Sequence, residues 1–216
     1  MAAYEASPST LARRQADAGV AEKLPARLRR ETASLHARVE AVTGLPGSVR
    51  RRGDYVTLLQ RLHGFHAAVE TRLRDPRWAG DWAGLGLDLT EYRRAHLLVE
   101  DLAAMQEPAP PEPPPDFRLG SSGSFAGALG CLYVAEGSSL GGRVIGPAIR
   151  SAVGDVPIAF FESAERRHPS PWRTLTAALH RFDDDGGDAD AVVEGARHTF
   201  LAFEQLVATP NRSAGR

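Results

Sequence analysis

The stretch LYVAEGSSLGGRVIG, from Leu132 to Gly146, is the part of the sequence that decides the fold. It is apolar and helix-like, yet glycines interrupt both it and the residues just before it. These glycines are Gly127, Gly130, Gly137, Gly141, Gly142 and Gly146. Each glycine inside a helix costs about 1 kcal/mol relative to alanine. A fold keeps so weak a helix where the backbone must bend or approach a neighbour closely, and that neighbour is either a large flat ligand or another helix.

The composition is that of a globular protein. A length of 216 residues predicts one domain with a sizeable core. The net charge of -1 argues against a nucleic-acid or anionic-membrane partner. The absence of an apolar run of about 18 residues, or of an apolar N-terminal core, predicts neither a membrane span nor a signal peptide. The single cysteine, Cys131, excludes an internal disulfide and favours a reducing, cytoplasmic location.

Helical periodicity recurs along most of the chain, and no stretch alternates convincingly with period two. We therefore expect an all-α domain over residues 21–208, with a mobile arm at 1–20 and a tail at 209–216. The predicted helices are Glu22–Val42, a helix that follows an N-cap at Asp54, Thr90–Met105, Phe125–Val153 with a bend near Gly141, Pro171–Phe182 and Ala189–Val207.

Two further segments are expected to be loops. Residues 107–115, EPAPPEPPP, favour a stiff polyproline loop within the one domain over a domain linker. The run from Asp183 to Asp185 lacks the alternating oxygen ligands of a calcium site, so we expect a solvated loop there.

His36 is the residue of the first helix that points to chemistry. It falls at the edge of the apolar face, where an imidazole can reach into a pocket while its other nitrogen stays solvated. Glu40 follows at i+4 on the same side, and a carboxylate bonded to the free ring nitrogen is the usual partner of a metal-bound histidine. The same spacing occurs at positions 66 and 70 and at 96 and 100. Since most such pairs are exposed helix contacts, the residues alone leave both interpretations open.

Four segments, in the order of the chain, resemble the heme oxygenase family. They are LRRETASLHARVE, DYVTLLQRLHGFHAAVE, YVAEGSSLGGRVIG and ARHTFLAFEQL, and they span most of Glu22 to Val207. The pieces T-x-x-L-H-x-x-x-E and E-G-S-x-L-G-G are the specific ones. The chain looks closest to the bacterial branch that makes biliverdin, including members associated with bacterial phytochromes. The resemblance implies one all-helical domain with heme between the first helix and the glycine-rich one.

The resemblance also assigns roles to individual residues. His36 matches the proximal ligand of the heme iron, and Glu40 matches the acidic residue that orients it. Gly137, Gly141 and Gly142 match the distal glycines, whose missing side chains let the backbone lie almost on the porphyrin.

Other positions are assigned to the two faces and the edge of the heme. Thr32 and Val39 match positions that pack on the proximal face, and Arg29 matches a basic position near a propionate. Arg143 has the guanidinium fork that suits a propionate, with a surface ion pair as an equal alternative. Ser138 stands where well-studied members carry an aspartate that anchors a water chain leading to the iron. Because a hydroxyl both donates and accepts, Ser138 is expected to hold a water in the catalytic part of the distal pocket, beside Gly137.

The implied activity is the O2-dependent cleavage of heme to biliverdin, carbon monoxide and iron, with electrons from an external ferredoxin or reductase. Heme is then both cofactor and substrate, and it is not attached covalently since the sequence has no C-x-x-C-H. A bacteriophytochrome is the downstream biliverdin acceptor that this branch suggests.

Two other classes of protein stay open. The same fold can hold heme as a non-catalytic carrier, an alternative that Ser138 supports. A helical bundle can hold two irons through Glu-x-x-His pairs, and Glu165 with His168 has that spacing. Cys131 is a further candidate iron ligand, against the simpler interpretation of a small buried side chain.

Overall fold

Helices follow the apolar periodicity of the sequence across the residues that the computed structural model describes, 22–110, 123–163 and 170–208. In these ranges the backbone forms helices and no strand, which confirms the predicted all-α class. The α-helices are α1 (Leu24–Thr43), α2 (Arg52–Leu73), α3 (Ala79–Gly84), α4 (Ala95–Ala104), α5 (Phe125–Ser139), α6 (Gly142–Val153), α7 (Ala159–Glu162), α8 (Pro171–Asp184) and α9 (Ala189–Ala208). Two short 3-10 helices span Pro76–Trp78 and Leu89–Tyr92.

Several predicted segments fall wholly or partly beyond these ranges. The arm at 1–20, the tail at 209–216 and residues 111–115 of the proline-rich loop lie outside the described residues. Residues 107–110 are described and have no regular structure. None of the helices in the described ranges is long and apolar enough to cross a bilayer.

The start of α2 differs from the prediction by three residues. Asp54 was expected at the N-cap, but α2 begins at Arg52 and Asp54 lies in its first turn. The Asp54 carboxylate reaches back and accepts from the backbone N–H groups of Arg50 and Arg51, each at 3.1 Å. A carboxylate in the first turn thus satisfies the free N–H groups of the helix start without occupying the cap position.

The predicted helix Thr90–Met105 is divided in two. A 3-10 helix ends at Tyr92, and α4 begins only at Ala95. Glu70, on α2, accepts from the backbone N–H groups of Arg94 and Ala95 at 2.7 and 2.8 Å. A buried carboxylate from another helix therefore caps α4, which local periodicity does not reveal.

The prediction of a solvated loop at Asp183–Asp185 is wrong for its first two residues, because α8 continues to Asp184. Asp183 Oδ2 accepts from the backbone N–H of Leu24 at 3.0 Å, and Asp184 pairs with Lys23 at 2.5 Å. Both acidic residues therefore act on the N-terminus of α1, where a negative charge is favourable.

Helix α9 holds the two helices that carry the candidate site. It packs extensively on α5 along one side and on α1 along another, and α8 also contacts both. The α5–α9 crossing brings backbone onto backbone: a Cβ on Gly130 would lie 2.0 Å from the Val192 carbonyl oxygen, and one on Gly195 would lie 2.3 Å from the Gly127 carbonyl oxygen. Gly127 and Gly130, which precede the 132–146 stretch, therefore lie in the contact between α5 and α9.

The bend predicted near Gly141 is confirmed as a break between α5 and α6, at Leu140 and Gly141. The α6 side of the break rests on α7, a short helix that the sequence did not predict. Asp101 on α4 holds α7 in place, since its carboxylate accepts from the N–H groups of Ala159 and Phe160 at 2.9 and 3.1 Å.

Replacing Gly130 with alanine is expected to destabilise the protein by about 1–3 kcal/mol, although alanine is the better helix former. The added Cβ would overlap the Val192 carbonyl and force α5 and α9 apart. Gly53→Ala is the matched control, because a Cβ there meets nothing within 4 Å. Urea unfolding of both variants measures the difference, and a neutral Gly130→Ala would contradict the close crossing.

His66 predicts a pH dependence of stability. Burial lowers its pKa from 6.5 to about 3, with the charges of Arg94 and His63 adding to the effect. Between those two values the unfolded chain binds a proton that the folded chain does not, so stability falls as the pH falls, by about 1.4 kcal/mol per pH unit.

The contribution of His66 is measured by comparing the pH dependence of the unfolding free energy in two variants with that in the wild type. His66→Leu is expected to lose it, whereas His96→Leu, at an exposed position on α4, keeps it. Unfolding free energies of the three proteins between about pH 6.5 and 4.5 provide the comparison. Parallel curves for wild type and His66→Leu would contradict the assignment.

Candidate functional site

His36 lies on an exposed face of α1. Arg29, Ala33, His36, Ala37 and Glu40 share this face at helical spacing, and all five are exposed. The His36 side chain is 60% exposed, as expected for an edge position. The two alanines place only methyl groups beside the histidine, at i−3 and i+1, while Glu40 and Arg29 are the long side chains of the same face. Sequence reasoning missed these alanines, whose signal was their position at i−3 and i+1 from the histidine.

Two side chains adjoin the imidazole. Phe200 of α9 meets it edge to face, with ring centroids 6.0 Å apart and an interplanar angle of 74°. Glu40 Oε2 lies 3.6 Å from His36 Nδ1, on the expected side but beyond hydrogen-bond distance. The aromatic contact therefore orients the ring, and the carboxylate stands next to the nitrogen that it is predicted to bond.

Thr32 and Val39 do not share the exposed face. They are 3% and 9% exposed, and the Thr32 hydroxyl donates to the Leu28 carbonyl oxygen at 2.8 Å. Both side chains lie on the part of α1 that faces the protein interior. The core covers most of both side chains, and their packing on the proximal face of a heme stays a prediction.

The glycines at and after the end of α5 divide into two groups. A Cβ on Gly142 would lie 2.2 Å from the Phe161 carbonyl oxygen, so this glycine is required by contact with α7. The assignment of Gly142 as a distal glycine of the ligand site stays a prediction. Gly146 faces Phe161 and Ile158 in the same contact. This pair is explained by close helix packing, one of the two interpretations that the sequence left open.

Gly137 and Gly141 have no such internal reason among the described residues. A Cβ on Gly137 would lie 3.4 Å from a Trp172 ring atom. A Cβ on Gly141 would lie 3.3 Å from Ile145 Cδ1 and 3.7 Å from the Ser138 carbonyl oxygen, an ordinary van der Waals distance, so neither glycine is required by a backbone overlap. Neither has a positive φ, and both are half-buried. Two helix-weakening glycines that the chain itself does not need point to a close approach by something other than the chain.

Arg29 and Tyr133 connect the α1 face to the glycine-rich helix. Burial raises the pKa of the Tyr133 phenol, and the positive charge of Arg29 opposes that rise. The guanidinium of α1 therefore lies within electrostatic range of the phenol on α5. The Tyr133 ring also packs against Trp172 of α8, with centroids 5.4 Å apart.

The remaining polar candidates lie beside the break. The Ser138 hydroxyl is exposed and donates to the Ala135 carbonyl oxygen at 2.7 Å, so its own oxygen stays available to accept from water. Arg143 is exposed on the first turn of α6.

The competing metal hypotheses gain no support. Burial raises the pKa of Cys131 to about 11, which keeps it a thiol and unsuited to iron as thiolate. Among the described residues, no group of three or more His, Cys, Asp and Glu side chains is placed to hold a metal ion. Glu165 and His168, the pair proposed for a two-iron site, lie outside the described residues.

The chain is similar to known proteins over most of its length. Residues 22–209 match the model of the heme oxygenase family. A heme oxygenase of Xanthomonas campestris pv. campestris (strain 8004) is 34% identical over 161 residues, which cover 73% of this chain and 91% of the relative. The crystal structure of NO- and CO-bound heme oxygenase from Neisseria meningitidis has the same fold, with a TM-score of 0.65 over 87% of this chain and 91% of that one, at 20% identity. The chain belongs to the heme oxygenase family.

Proposed function

We propose that this protein binds heme between the exposed face of α1 and the Gly137–Gly141 backbone, and that it cleaves the heme to biliverdin, carbon monoxide and iron. The non-catalytic carrier is not favoured, because the family and the relative are both named for the oxygenase. The observation that carries the proposal is the pair of glycines, Gly137 and Gly141, which neither packing nor backbone conformation requires.

The residues present suit a heme. His36 offers an exposed imidazole with small neighbours, and imidazole is a common iron ligand. Glu40, next to Nδ1, favours the tautomer that leaves the lone pair on Nε2. Arg29 brings a positive charge to the edge where a propionate would lie, and Arg143 is proposed for the same role from α6.

Bound heme supplies both the iron that activates dioxygen and the ring that is cleaved, so the chain needs no nucleophile of its own. The part of Ser138 is to position a water through its free acceptor sites, because a serine hydroxyl is too weak an acid to be the proton source. Gly137 leaves room for that water and for the ring beside the backbone.

The partners follow from this chemistry. Heme and dioxygen are the ligands, and electrons must come from an external ferredoxin or reductase. A bacteriophytochrome as biliverdin acceptor and a cytoplasmic location complete the proposal. The location is supported by the single free cysteine.

His36→Ala is expected to abolish turnover while the protein remains folded, because the exposed side chain adds little to the core. Hemin should then bind with an altered Soret band, and added imidazole should restore part of the wild-type spectrum and activity. His96→Ala serves as the control, since that histidine is exposed on α4. The measurements are a hemin titration by absorbance and biliverdin formation under oxygen with a reductant. Wild-type activity in His36→Ala would exclude the proposed ligand.

Gly141→Leu is expected to block hemin binding by steric overlap. Little stability should be lost, since the first added atom meets the end of the Ile145 side chain at 3.3 Å and the Ser138 carbonyl oxygen at an ordinary 3.7 Å. Gly80→Leu is the control, because a Cβ at Gly80 meets nothing within 4 Å. Hemin titration compares the two variants. An unchanged hemin affinity in Gly141→Leu would show that the glycine-rich segment does not contact the ligand.

A further inference from the structure

The residue directly before Gly137 takes part in a buried ion pair. Glu136 and Arg94 are 3% and 1% exposed, and Arg94 Nη2 donates to Glu136 Oε2 at 3.0 Å. Removing two charges from water offsets most of what their attraction contributes, and well-packed apolar residues often stabilise a fold as well or better. Stability alone is therefore a weak reason for this pair, and its geometry suggests another role.

Arg94 is a rigid anchor. Its Nη1 donates to the carbonyl oxygens of Glu91 and Arg93, at 2.9 and 3.2 Å. Its backbone N–H donates to the Glu70 carboxylate at 2.7 Å, as part of the cap of α4. The guanidinium is thus held from several directions and cannot follow a carboxylate that moves.

Glu136 in turn interacts with a neighbouring residue of α5 and with a residue from outside this helix. Its backbone carbonyl accepts from the Ser139 hydroxyl at 2.7 Å. Burial raises the pKa of Tyr92, and the negative charge of the Glu136 carboxylate adds to that rise. The Tyr92 hydroxyl donates at 3.1 Å to the carbonyl of Pro171, next to the Trp172 ring that faces Gly137. The surroundings of Glu136 thus join α5 to the start of α8.

The end of α5 needs such an anchor because Gly137 has no side chain that could pack against neighbouring helices and hold this turn in place. Successive residues of a helix point about 100° apart, so a carboxylate fixed on Arg94 also fixes the direction of Gly137. Rotation of this turn would bring a side chain, such as that of Ser138 or Leu140, to the place of the bare backbone.

We propose that Glu136 is a positioning residue: its buried ion pair with Arg94 sets the rotation of the end of α5, and so presents the Gly137–Gly141 backbone to the ligand. This inference rests on the proposed binding of heme. It differs from a purely structural role, in which loss of the pair would lower stability and leave ligand binding unchanged.

The test compares hemin binding with stability. Glu136→Gln is expected to weaken hemin binding by about tenfold or more, as supporting residues around metal ligands do, and to shift the Soret band. Leu98→Ala, at a fully buried position of α4, is the matched control. It should lower the midpoint of urea unfolding while hemin affinity stays within about twofold of wild type.

A second variant keeps the test decisive if Glu136→Gln does not fold. Arg94→Met with Glu136→Met removes both charges together, and is expected to fold and still bind hemin weakly with a shifted spectrum. Either variant, folded and with wild-type hemin affinity and spectrum, would overturn the positioning role alone. A wild-type protein that binds no hemin would overturn the proposed function as well.

Discussion

The rest of the structure depends on the contact of α5 and α9, where Gly130 and Gly195 bring two helix backbones together. At this separation there is no room for a single Cβ on either side, so the crossing point is fixed by backbone sterics. Because α9 also packs on α1, one helix supports both elements of the proposed site. The helix that carries His36, α1, and the helix that carries Gly137, α5, are thus supported by the same neighbour, α9.

The glycines in and after α5 serve two different purposes, which the sequence does not distinguish. Gly130 and Gly142 make room for the protein's own backbone, at α9 and α7. At Gly137 and Gly141, an added Cβ would overlap no backbone atom of the described chain. Both groups consist of glycines in or beside the same helical stretch, so composition cannot separate them. The separation appears only when the atom that a Cβ would meet is known.

Polar groups buried in the interior set the details of the site. The carboxylates of Glu70 and Asp101 satisfy the N–H groups at the starts of α4 and α7, and Glu136 pairs with Arg94. All three carboxylates are more than nine-tenths buried. Buried charges that are hydrogen-bonded to fixed groups allow few alternative arrangements, and in our proposal the Glu136–Arg94 pair positions the glycine-rich segment in this way. The apolar core stabilises the bundle, and these polar contacts orient its parts.

The sequence by itself determined the all-α class, the extent of most helices, the break near Gly141 and the exposed setting of His36. These features depend on local periodicity and glycine content, which are properties of neighbouring residues. Tertiary structure alone decided that α4 starts at Ala95, that Asp183 acts on α1, and that Thr32 and Val39 face the core. It also decided which glycines the protein itself requires. Such outcomes depend on contacts between residues far apart in the chain, and periodicity along one helix carries no information about what lies across from it.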